Sequence, residues 1–98
     1  MSPSARAAGI PPAAEKLYTD LKAASRVAAQ LQGVEPDEDL ASLLVGLRDV
    51  LDYAARVLGA SYGPDPRYTL QQAHGLASAA AHVRGDAEVL RDRKSTGR

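Results

Sequence analysis

Apolar residues recur along this chain at alternating spacings of three and four, the pattern of one face of an α-helix. In the first such stretch Leu17, Leu21, Ala24, Ala28 and Leu31 follow at intervals of 4, 3, 4 and 3. Pro11 and Pro12 precede it, and a proline in the first turn costs nothing because its missing N–H would have no partner there. Gly33 follows and reads as the C-cap. The pattern predicts a helix over residues 12–32.

The second stretch opens on Glu35, Pro36, Asp37, Glu38 and Asp39. Carboxylates there meet the unpaired N–H groups and the positive end of a helix dipole. Leu40, Leu44, Leu47, Leu51, Ala54 and Leu58 continue at 4, 3, 4, 3 and 4, with Leu43, Val50 and Val57 beside them at intervals of seven. The combined apolar arc is about 200° wide. One neighbour does not need so broad a face, so the predicted helix over 37–59 is the central element, touching both others. Leu47 and Leu51, near the middle of the arc, are expected to be enclosed and the costliest to truncate. Arg48, Asp52 and Arg56 lie opposite at i, i+4 spacing, as a solvated ion-pair ladder.

Gly59 and the run Tyr62, Gly63, Pro64, Asp65, Pro66 break the pattern. Thr69 and Gln72 fit a capping box. Ala73, Leu76, Ala80, Val83, Ala87 and Leu90 then give 3, 4, 3, 4 and 3, predicting a helix over 69–91. No strand pattern occurs. Three long helices with short connections predict an all-α fold, an antiparallel up-down-up three-helix bundle over residues 12–91. A flexible arm over 1–11 is expected before it and a frayed basic tail over 92–98 after it.

Composition narrows the function classes. Ninety-eight residues suffice for one small domain. The absence of cysteine excludes disulfides, zinc–thiolate sites and a thiol nucleophile. No apolar run approaches the roughly 18 residues of a membrane span, and the first residues show no apolar leader, so a cytoplasmic location is expected. Twelve basic residues balance twelve acidic ones. The acidic residues concentrate between Glu35 and Asp65, which suits segments that fold against one another rather than a field that attracts nucleic acid.

Candidate chemistry is sparse. His74 and His82 stand eight apart, about 80° around a helix, whereas helical metal pairs use i, i+4 spacing. His74 is expected on the solvated side and replaceable, and His82 nearer a packed flank. Arg67 and His74 form an Arg-x6-His spacing that resembles the signature of HEPN-type ribonucleases over eight residues. That resemblance implies an RNA-cleaving cleft at a dimer interface. Asp49 with Asp52, and Asp37 with Asp39, read as solvated or capping carboxylates rather than an acid–base pair. No phosphate loop or nucleophile elbow occurs, and no Trp-x-Gly turn marks a WXG-type hairpin. No catalytic residue, cofactor, metal or small-molecule ligand is therefore expected.

A non-catalytic helical interaction or scaffold protein remains, expected to self-associate as a homodimer. The row Ala73, Ala77 and Ala81, with Arg84, is its candidate interaction face. The alternative is a regulator that contacts DNA through the basic end formed by Arg91, Arg93, Lys94 and Arg98.

Overall fold

A computed structural model of the chain describes residues 10–63 and 65–96, with side chains through Arg93. The expected N-terminal arm falls outside the described residues except for Ile10 and Pro11, as do Pro64, Gly97, Arg98 and the Lys94 side chain. Three helices make up the fold: α1 (Pro12–Val34), α2 (Glu38–Ser61) and α3 (Pro66–Thr96). No strand occurs among the described residues. Ser25 Oγ donates to the Arg48 carbonyl at 2.9 Å and Lys22 Nζ to Asp52 at 2.6 Å, so α1 and α2 run antiparallel. Ser42 Oγ donates to Asp86 at 2.9 Å, and Arg93 reaches Asp37, which makes α2 and α3 antiparallel as well. The architecture is the expected up-down-up three-helix bundle.

The helix ends depart from the sequence pattern for local reasons. Helix α1 starts where expected, with Pro12 in its first turn, but runs through Gly33 to Val34. Its C-cap is Glu35 in extended conformation, not a left-handed glycine. Glu35 precedes Pro36, whose ring disfavours helical backbone at the residue before it. Asp37 caps α2, accepting the N–H groups of Asp39 (2.9 Å) and Leu40 (3.2 Å), as a carboxylate at this position should. The helix then extends past Gly59 to Ser61.

Helix α3 differs most. It begins at Pro66, because the Asp65 side chain accepts the Arg67 N–H at 2.9 Å and proline suits the first helical position. The capping box of Thr69 and Gln72 is therefore not formed, and both residues lie inside the helix. At its other end α3 continues to Thr96, five residues beyond the predicted stop. Arg93 is anchored to the first turn of α2, which holds the end that was expected to fray.

Helix α2 packs against both neighbours, and α1 and α3 have no contact with each other among the described residues. The bundle is thus an open layer with α2 in the middle. The neighbours lie near the two edges of the broad apolar arc, and of the residues between them Leu43, Val50, Leu51 and Ala54 are partly buried and Leu47 is exposed. Leu47, expected to be enclosed, is 37% exposed, and Leu51 is only partly buried. The buried leucine is Leu44, 7% exposed, and the other buried apolar residues are Ala28, Ala55, Ala60 and Ala79. One leucine and four alanines, the buried apolar side chains among the described residues, remove little apolar area from water.

Gln72 is buried within this layer, and its Oε1 receives no hydrogen bond. An unmet buried polar group costs about 1–3 kcal/mol. Gln72→Met keeps the length and flexibility of the side chain without the polar atoms. It is expected to stabilise the chain by roughly 1 kcal/mol, a rise of about 4–8 °C in the melting temperature. A lower melting temperature would show that the amide is paired in solution.

Candidate interaction face

The two sides of the layer differ in chemistry. On one side Asp52 lies between α1 and α2, bound by Lys22 at 2.6 Å and by Arg56 at 2.9 Å. Its pKa is lowered, chiefly by the hydrogen bond from Lys22. Arg48 pairs with neighbouring Asp49 rather than Asp52, so the expected ladder is half formed. Asp52 takes the cross-helix lysine instead.

On the other side the surface is apolar. Lys22 and Asp52 mark one edge of the α1–α2 contact. At the angular spacing of a helix, Leu17, Ala24 and Leu31 lie past the opposite edge, on the same side of the layer as Leu47. All four are exposed, and Val27 and Val34, also exposed, lie farther round α1 from α2. Large apolar groups gathered this way are what marks an interaction surface; single ones are ordinary. Periodicity predicts a stripe on α1, but Leu21 and Ala28 of that stripe face α2 more closely than Leu17 and Leu31 do. The shared side could not be found from spacing alone.

The alanine row expected as an interface sits elsewhere. Ala77 and Ala81 are exposed and Ala73 is partly buried, on the flank of α3 directed away from α2. Arg84, exposed, pairs with Glu88 at 3.4 Å.

The basic end is engaged with α2. Arg93 holds both oxygens of Asp37, at 2.7 and 3.2 Å, and reaches Asp39 at 2.9 Å. This two-pronged contact pulls the Asp37 pKa down to about 2, with the capping N–H groups adding to the effect, and raises that of Arg93. A depressed carboxylate contributes stability above its unfolded pKa and loses it as pH falls through the folded value. The junction is therefore expected to weaken between about pH 4 and pH 2. In Arg93→Ala, carboxyl NMR is expected to show Asp37 titrating at higher pH, with faster amide exchange beyond Leu90. An unchanged titration would mean that the contact is absent in solution.

Ser42, His82 and Asp86 come together at the α2–α3 contact. Ser42 Oγ and His82 Nε2 both lie 2.9 Å from the same oxygen of Asp86. Nucleophile activation needs the imidazole between hydroxyl and carboxylate. Here the carboxylate stands between the other two, which makes a structural hydrogen-bond cluster. His82 also packs on Gly46, as its flank position suggested.

His74 is exposed. Arg67 lies on the first turn of α3 rather than ahead of its cap, is paired with Asp65 at 3.5 Å, and is also exposed. It shares a side of the helix with His74, about 10 Å away along the axis. A half-open cleft of about 400 Å³ lies between the start of α1 and the end of α2, lined by Glu15, Tyr18, Thr19, Leu58 and Tyr62 among others. Among the described residues no three His, Asp or Glu side chains are grouped to hold a metal ion, and no helix is long and apolar enough to cross a membrane. No family model, curated protein or solved structure matches this chain.

Proposed function

We propose that this chain is a non-catalytic helical interaction protein that completes its core by pairing with a second copy of itself. The observation that supports this reading is the apolar side of the layer, where Leu47 of the central helix is exposed together with Leu17, Ala24 and Leu31 of α1. A layer of three helices has one neighbour too few to bury a 200° arc, so a further apolar surface adds core without adding chain. A second copy is always present at the concentration of the first, and two copies with no net charge do not repel. Closed two-fold pairs are the commonest way for a chain to meet itself.

Sedimentation equilibrium at micromolar concentration tests the reading. The expected mass is twice the 10.3 kDa of one chain. A mass of 10.3 kDa across the whole range would exclude self-association. Contact with DNA through the basic end has less support, because Arg93 is held by Asp37 and Asp39 and Arg91 by Asp92. Salt-dependent retention on heparin would favour it.

A further inference from the structure

We infer that the second copy seats on the Leu17–Ala24–Leu31 stripe of α1 and on Leu47 of α2, with the two α1 helices antiparallel about a two-fold axis at Ala24. The inference rests on the self-association proposed above and adds which surface carries it. A two-fold contact requires a patch that matches itself when reversed. The stripe meets that condition: Leu17 and Leu31 stand seven residues before and seven after Ala24. Reversal about Ala24 sets Leu17 of each copy against Leu31 of the other. The small side chain at the axis lets the two backbones approach. A seven-residue repeat drifts only about 20° per heptad from a straight helix, so two repeats stay in line.

Register places Leu47 near the axis, since Ser25 bonds the Arg48 carbonyl across antiparallel helices and so sets Ala24 level with Asp49, two residues or about 3 Å along α2 from Leu47. The charges bordering the stripe, Lys16 and Asp20, already neutralise one another at 2.9 Å, so pairing need strand no lone charge. Area is sufficient too. Two adjacent helices about 35 Å long and together about 20 Å wide offer a footprint of roughly 700 Å². A standard interface covers about 800 Å² per partner. The row Ala73, Ala77 and Ala81 is the poorer surface: Leu70 is the large apolar residue beside it, and Arg84 and Glu88 interrupt it.

The chain has no cysteine, so single-cysteine variants report the contact directly. A disulfide forms only where Cα atoms come within about 7 Å. Under mild oxidation Ala24→Cys is expected to become a covalent dimer in high yield, and Ala77→Cys to stay largely monomeric on denaturing gels. Leu31→Glu, at a half-exposed position, is expected to halve the sedimentation mass while keeping the helical circular dichroism. Should that variant lose its helicity, the cross-linking pair alone decides. Wild type at 10.3 kDa throughout would overturn the self-association reading itself. A dimer that Ala77→Cys captures, or one in which Ala24→Cys remains reduced, would leave that reading standing and overturn this assignment of the face. A dimer undisturbed by a folded Leu31→Glu would do the same.

Discussion

Replacing Leu44 by alanine is expected to cost about 2–5 kcal/mol, the largest loss for any leucine truncation in this chain. Among the described residues its side chain is the one large aliphatic group that is buried, and it lies one turn before Arg48, where α2 meets α1. Antiparallel register sets Ala28 opposite it, too small a side chain to relax into the cavity left behind. The loss compares with a whole stability of about 5–15 kcal/mol for a small domain. Leu47→Ala is expected to cost less in a single chain, because Leu47 already has more than a third of its surface in water. Urea unfolding of both variants at low protein concentration checks the order. If Leu47→Ala lost more than Leu44→Ala under those conditions, the neighbours of α2 would lie over the middle of its arc and the layer would be closed. At high concentration the gap should narrow, since a second copy would cover Leu47.

Gly75→Ala is expected to destabilise by about 1–3 kcal/mol, although alanine is the better helix former by about 1 kcal/mol. A β-carbon at Gly75 would clash with the ring carbons of Tyr53, where α3 meets α2. The ring carries the Arg56 guanidinium 5.5 Å from its centre, a contact that moving the ring would disturb. At Gly46 the same contact recurs one layer along, with a β-carbon 2.6 Å from His82 and 2.8 Å from Val83. Gly85 is the internal control. Nothing lies within 4 Å of its missing β-carbon, so Gly85→Ala is expected to stabilise by about 0.5–1 kcal/mol through helix propensity. Thermal melts of the two variants should therefore move in opposite directions. A rise for Gly75→Ala would mean that α3 does not approach α2 this closely. Combining it with Tyr53→Leu should recover part of the loss, as coupling between touching residues predicts.

Much of the layer is legible in the sequence. The 4-3-4-3 rhythms locate all three helices, the 200° arc identifies the second as the central one, and the carboxylates from Glu35 to Asp39 mark its start. His74 was legible as an exposed residue because its neighbours on the wheel are polar. The misreadings have two causes, a stronger signal a few residues away and a partner far along the chain. Gly33 looked like a helix stop, but the restriction that ends α1 comes from Pro36. Thr69 looked like a helix start, but Asp65 caps first. The carboxyl end of α3 looked free because its counter-charges, Asp37 and Asp39, lie more than fifty residues earlier in the chain.

Which residues share a helix face follows from the local rise and turn of the backbone, so it is written in the order of side chains. The angle at which a neighbouring helix approaches that face is set by ridge-and-groove fit, by glycines that admit a ring or an imidazole, and by ion pairs between distant residues. None of these has a period along the chain. That is why the apolar arc of α2 was visible in its spacing, whereas the choice of Leu44 to be covered and Leu47 to be left open belongs to the packing of α1 and α3 on opposite edges.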